Sequence, residues 1–243
     1  MTVPILRLFG KTGDRFCIII WIKAGNVMKL SDLSPSHEHI LEWFKENAQF
    51  PLDKAVVKKS GKFWLNGTGE LTLKTNVEEI KYPIGKVNKL STFAGALGVA
   101  GVSREGKLNS LKNMPESSMF VHLSNQSITK IDHPIRASID VILTHNLITS
   151  LKDIHRFVSC PSIDLCFNPV KSAILGLLLI PEINVIRTHD FFLNKHIPEK
   201  TEEIKTFHRA LSIVAKYVGK GRTGLIDAQE ELIDNDLDDF AEV

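Results

Sequence analysis

Hydrophobic positions in this chain follow two periods. Residues 16–22, Phe-Cys-Ile-Ile-Ile-Trp-Ile, are β-branched and aromatic, a run long enough for a strand and short for a helix. A helix is predicted next. Ser34 suits the N-cap, Pro35 the first helical position and Glu38 the positive end of the helix dipole. Ile40, Leu41 and Phe44 then form an apolar stripe at helical spacing. This helix should end near Ala48, ahead of Pro51.

The following segment predicts paired strands. Ala55–Val57 leads into a polar turn at Lys58–Gly61, and Phe63–Leu65 returns. Asn66-Gly67, a strong hairpin signal, then points into Leu71–Leu73. Gly95, Gly98 and Gly101 thread the small-residue run Phe93–Gly101, which fits close helix packing or a loop. Residues 103–118 are polar, poor in large apolar groups and contain Gly106 and Pro115. They are the best candidate for an interdomain linker.

Strand patterns restart after it. Met119, Val121 and Leu123 alternate with Phe120, His122 and Ser124. Ile135, Ala137, Ile139, Val141 and Leu143 form a longer period-two series. Ile163–Phe167 and Ala173–Ile180 are further strand candidates. A last helix starts at Thr201, with Glu202 and Glu203 in its first turn and a stripe of Ile204, Phe207, Leu211, Val214 and Val218; Gly219 follows as its stop. No internal repeat of short period is read. The expected fold class is therefore mainly β with peripheral helices (α+β). It comprises two small β-sandwich-like domains joined by a polar linker, with boundaries at 1–102, 103–118 and 119–225, followed by an acidic tail, 226–243.

Composition narrows this little. With 43% hydrophobic and 24% charged residues over 243 positions the chain is globular. The N-terminus lacks the apolar core and cleavage site of a secretory signal, and the longest apolar stretch, Ala173–Pro181, is too short for a bilayer. Three cysteines, Cys17, Cys160 and Cys166, fit a reducing compartment.

Charge changes the picture more. No Lys or Arg follows Arg222, and residues 226–243 carry eight carboxylates. The rest of the chain has 30 basic against 20 acidic side chains, a basic body behind a near-neutral total. Such a split points to an anionic partner. The candidate binding residues are Lys54, Lys58, Lys59 and Lys62 around a strand turn, Lys81, Lys86 and Lys89 around Tyr82-Pro83, and Lys216, Lys220 and Arg222 at the end of the last helix. Within the tail, Leu237 and Phe240 would share one face of a helix formed on a partner; the tail itself is expected to be disordered in isolation.

No constellation announces catalysis. Gly219-Lys220-Gly221-Arg222-Thr223-Gly224 matches G-x-G-x-x-G, but a predicted helix rather than a strand precedes it. A helix stop and loop, or a basic turn on phosphate, reads better than a dinucleotide site. His37 and His39 point apart on a helix, and His189, Asp190 and His196 have no metal-ligand spacing. No G-x-S-x-G frames a nucleophile. The expectation is a binding protein without cofactor or metal, not an enzyme.

The order of the apolar strand at 16–22, the helix HEHILEWFKENAQF and the basic segment LDKAVVKKSGKFWLNGTGELTL resembles the matrix proteins of non-segmented negative-strand RNA viruses, of the paramyxovirus and pneumovirus type. The resemblance covers about the first hundred residues by pattern. The chain lacks the P-P-x-Y budding motif some members carry. The resemblance implies two β-sandwich domains, self-association into a layer as a homo-oligomer, and contact with an anionic membrane surface and with viral nucleocapsid or RNA. It also implies a place in the host cytoplasm, at the inner membrane face and in the virion. The alternative expectation is a viral single-strand nucleic-acid-binding or movement protein.

Overall fold

The computed structural model describes residues 35–93, 106–188 and 201–242. Helix α1 (Pro35–Asn47) is followed by strands β1 (Ala48–Gln49), β2 (Ala55–Val57), β3 (Phe63–Leu65), β4 (Glu70–Leu73), β5 (Ile84–Lys86), β6 (Lys89–Thr92), β7 (Ser118–His122) and β8 (Ile135–Ile142). Then come α2 (Ile154–Phe157), β9 (Val158–Ser159), β10 (Ser162–Asp164), β11 (Val185–Arg187), α3 (Thr201–Ala215) and α4 (Gly221–Asp234). Eight strands form one sheet in the order β1-β4-β6-β7-β8-β10-β11, with β9 also beside β8, and β2-β3-β5 form a second.

From β4 to β11 every neighbouring pair in the main path is parallel and follows chain order. Parallel neighbours need a return arm on the far side. Repeating that step builds a solenoid, in which each coil buries its apolar face on the next. The register makes the repeat explicit. Leu71, Leu90, Val121, Val141, Ile163 and Ile186 stand side by side across the sheet, and all are buried. Their intervals are 19, 31, 20, 22 and 23 residues. Two places further on, Leu73, Thr92, Leu123, Leu143 and Leu165 form a second buried column.

A polar ladder closes each turn. Asn146 Nδ2 donates to the carbonyls of Leu123 (2.8 Å) and Leu143 (2.9 Å), and its Oδ1 accepts from Ile128 N. One coil on, Asn168 Nδ2 donates to Leu143 O and Leu165 O, both at 2.8 Å, and its Oδ1 accepts from Ile148 N at 3.2 Å. These amides satisfy backbone groups that a bending chain would otherwise bury unpaired. Gln126 takes the same place one coil earlier. Its longer side chain donates to Thr92 Oγ1 (2.8 Å) and accepts from Leu108 N (3.3 Å). Gly106 makes room for it, since a Cβ there would lie 2.1 Å from Gln126 Oε1. The residue before each amide, Asn125, His145 or Phe167, has φ between 54° and 61°, the left-handed turn that aims the amide inward.

The mixture of strands with peripheral helices is as expected, but the two sandwiches are not. Residues 103–118 were expected to form a linker; their described part, 106–118, buries Leu108, Leu111 and Met114 in the common core, and β6 and β7 on either side pair directly. The Asn66-Gly67 turn does not make a hairpin: β3 and β4 lie in different sheets. Residues 175–179 form a 3-10 return arm instead of a strand. In β8 the alternation slips, with Ile139 exposed and Asp140 buried, where the register against β7 shifts: Ser118 is opposite Ala137 but Phe120 is opposite Asp140, one extra residue in β8. The helix predicted after Ser34 is α1; the apolar run at 16–22, the glycines at 95, 98 and 101, and His189, Asp190 and His196 fall outside the described residues.

Both ends are capped, as open sheet edges require. At the first, Phe44 of α1 stacks on Phe63 with centroids 4.0 Å apart, Phe50 meets the same ring edge-on at 5.1 Å, and β1 pairs antiparallel with β4. At the other, α3 and α4 cover the last coils with Phe207, Leu211, Val214 and Leu232. The expected acidic tail is part of this cap. Residues 221–234 are helical, and Leu237 and Phe240 are 3% and 5% exposed, not free docking groups. Ala173 N and Ile174 N donate to the carbonyls of Asp239 and Phe240. Apolar contact between Phe240 and Phe207, 6.5 Å apart, outweighs the charge that argued for disorder. Each buried ring contributes roughly 1.5–3 kcal/mol.

Candidate functional site on the outer sheet face

Alternation along a strand sends one set of side chains into the solenoid and the next to the outside. With the first buried column inward, the outer face presents Glu70 and Thr72, Lys89 and Ser91, Phe120 and His122, Asp140 and Ile142, Ser162 and Asp164, then Val185 and Arg187. The sheet sets these rows 4.7–4.9 Å apart, so neighbours on successive coils touch.

At one end, Lys89 Nζ lies 3.8 Å from Glu70, and Thr72 and Ser91 share a 3.0 Å hydroxyl contact. The centre is a charged cluster drawn from three strands. Asp140 is held from both sides. His122 Nε2 sits 2.6 Å from its Oδ1, and Arg187 Nη2 donates to its Oδ2 at 3.1 Å. Arg187 Nε also donates to Ser162 Oγ at 3.2 Å. Phe120 meets His122 edge-on at 5.7 Å. Asp140 is 8% exposed at its side chain, against 28% for His122 and 44% for Arg187. The carboxylate is therefore a fixed hub, and the imidazole and guanidinium present their remaining edges outward.

Asp140 stands between His122 and Ser162 in the strand order, so the imidazole is committed to the carboxylate and not to the hydroxyl. Nucleophilic catalysis needs the base between the other two. Among the described residues no group of three His, Cys, Asp or Glu side chains has the arrangement of a metal site. Cys160 is buried, and desolvation first, with Asp140 nearby second, pushes its thiol up to about 12. It is a core group, not a nucleophile.

The sequence-predicted basic residues other than Lys89 form two groups at opposite ends. Around β3, Lys58 lies 3.3 Å over the Trp64 ring, Lys62 pairs with Glu116, and register sets Lys86 opposite Trp64. Lys54 and Lys59 belong to the same turn region, with Lys59 exposed. Lys81 lies 5.4 Å from the Tyr82 ring. Lys89 is on the outer face. At the other end, Lys216 pairs with Glu231 at 2.5 Å, Lys220 lies 4.4 Å over Tyr217, and Arg222 is exposed in the first turn of α4. The G-x-G-x-x-G segment opens α4 with no strand before it; Gly219 and Gly221, with φ of 78° and 62°, reverse the chain between two helices. His122, Asp140 and Arg187 were not singled out in the sequence.

No protein-family model, no curated protein and no solved structure matches the chain. No described helix is long and apolar enough to cross a membrane.

Proposed function

We propose that the chain is a binding scaffold of the leucine-rich-repeat type, whose outer sheet face around Phe120, His122, Asp140 and Arg187 docks a protein partner. The coil pattern supports the class: Leu123-x-x-Gln126-x-Ile128, Leu143-x-x-Asn146-x-Ile148 and Leu165-x-x-Asn168-x-Val170 follow the L-x-x-N-x-L core of such repeats. Solenoids of this kind bind along their extended sheet face. The observation that carries the site is the Asp140 hub. A nearly buried carboxylate held by an imidazole and a guanidinium fixes both of them before a partner arrives, which lowers the ordering cost of binding. Phe120 and the exposed Val185 flank it with apolar surface.

A peptide-display selection on the whole protein tests this. Selected peptides should lose about tenfold or more in affinity on Phe120→Ala and on Arg187→Glu. They should also slow amide exchange in β7, β8 and β10. Ligands indifferent to both substitutions would overturn the reading.

A second reading keeps the anionic surface expected from the charge pattern and the matrix-protein resemblance. Lys58 lies over Trp64 and Lys86 is its register partner, with Lys54 and the exposed Lys59 in the same turn region, a basic turn with an aromatic base. Charge reversal at Lys58 and Lys59 should release the protein from anionic liposomes at low salt. Unchanged co-sedimentation would remove this reading.

A further inference from the structure

The C-terminal cap carries two charged strips of opposite sign on adjacent helices. On α3 and the turn that ends it, Lys205, Arg209, Ser212 and Lys216 recur at steps of four, three and four residues, which aligns them along one side. They line a cleft with Glu231 of α4 and Asn235 just past its end. That side points away from the core, since Phe207, Ala210, Leu211 and Val214 are buried on the opposite side. Lys205 pairs within α3 to Glu202 and Lys216 pairs across to Glu231, whereas among the described residues Arg209 makes only a 3.5 Å contact to the Asn235 carbonyl. On α4 the exposed Asp227, Glu230 and Asp234 form the complementary strip. Among the described residues none of these three is ion-paired. Ile226 and Ile233, two turns apart beside that strip, are 49% and 47% exposed. The outer face of a solenoid's terminal cap is ordinarily polar, so an aligned isoleucine pair there needs a cover.

We propose that the α3–α4 cap is a self-association surface on which two copies of the chain pair about a twofold axis. The α3 basic seam of each copy receives the α4 carboxylate strip of the other, and the isoleucines are covered between them. A second copy is the occupant because both strips lie on one face of one cap. In an isologous contact each patch meets its complement twice. A foreign acidic segment would satisfy the seam alone, leaving the carboxylates and isoleucines bare.

A charge-swap experiment on the full chain tests this. Sedimentation velocity at low salt should show a dimer that dissociates as salt rises. Lys205→Glu with Arg209→Glu should raise the dissociation constant about tenfold or more, and so should Glu230→Lys with Asp234→Lys, because like charges then face each other. Mixed one to one, the two variants should form a heterodimer, since acidic seam meets basic strip at one contact and basic seam meets acidic strip at the other. Ile226→Ser with Ile233→Ser should weaken the dimer at every salt concentration at which the wild type still dimerises. All these positions are exposed, and unchanged circular dichroism and melting would confirm that each variant folds. A wild-type chain monomeric at all concentrations overturns the proposal, including one that binds polyglutamate. So does a variant mixture that stays monomeric.

Discussion

Replacing Asn168 by Leu removes one rung of the amide ladder while keeping the branched outline of the side chain. Asn168 is fully buried and serves three backbone groups, the carbonyls of Leu143 and Leu165 and the amide of Ile148. They do not suffer equally. Leu143 O also accepts from Asn146 Nδ2 at 2.9 Å, so it keeps a partner. Leu165 O and Ile148 N lose the side chain that satisfies them. An orphaned buried group costs about 1–3 kcal/mol. Two of them, offset in part by the added apolar side chain, come to about 3 kcal/mol. That is a large share of a typical total of about 5–15 kcal/mol. Urea unfolding followed by circular dichroism, with the exposed Lys152→Ala as control, reads the difference as a shift in midpoint. The control should stay within about 0.5 kcal/mol. A loss below about 1 kcal/mol for Asn168→Leu would refute the idea that the amides brace the coils.

Other outcomes follow from single contacts. Gly106→Ala should displace the Gln126 amide and cost about 1–3 kcal/mol; adding the shorter Gln126→Asn should recover part of it, and no recovery would dissociate the two positions. Hydrogen bonds from Lys216, then Tyr217, hold Glu231 below the usual carboxylate range. Its stabilising contribution is therefore present above the unfolded value near 4.5 and lost as pH falls through the lowered one. Melting curves of wild type and Glu231→Gln should differ at pH 6 and converge in acid. The same contact raises the Tyr217 phenol to about 12, the Glu231 hydrogen bond being the largest cause, so Glu231→Gln should shift one of the two tyrosine titrations downward in the ultraviolet. In a Cys17→Ser background, buried Cys160 and Cys166 should react with iodoacetamide at least ~10²-fold more slowly in native than in denatured protein; fast native labelling would contradict the packed core.

Much of the local structure was legible in the residues, and the architecture was not. The Pro35 helix start, the Ala55–Val57 and Phe63–Leu65 pair, and the Thr201 helix follow from propensity and turn chemistry. These are decided within a few residues. The solenoid depends on register between coils, and its period is uneven. The interval of 31 between Leu90 and Val121, and Val or Ile in place of Leu, blurred the repeat. Gln126 and Thr92 disguised one rung as polar surface. The polar composition of residues 103–118 suggested a linker, yet Leu108 and Leu111 sit at the spacing of Ile128 and Ile131 on the next coil. The carboxylates of the last eighteen residues argued for disorder, while Leu232, Leu237 and Phe240 settled it by packing. The His122–Asp140–Arg187 cluster joins residues 65 positions apart, and only the parallel stacking of β7, β8, β10 and β11 brings them together.

Amide hydrogen exchange resolved by residue tests the continuous solenoid most directly. The account predicts that Leu90 and Thr92 on one side of residues 106–118, and Leu143 and His145 on the other, exchange only through a shared unfolding event. It further predicts that Gly106 N and Ser127 N, which donate to Asn125 O and Leu108 O, are protected with them. Fast exchange across 106–118, with the two halves opening at unrelated free energies, would contradict it and restore two separate domains.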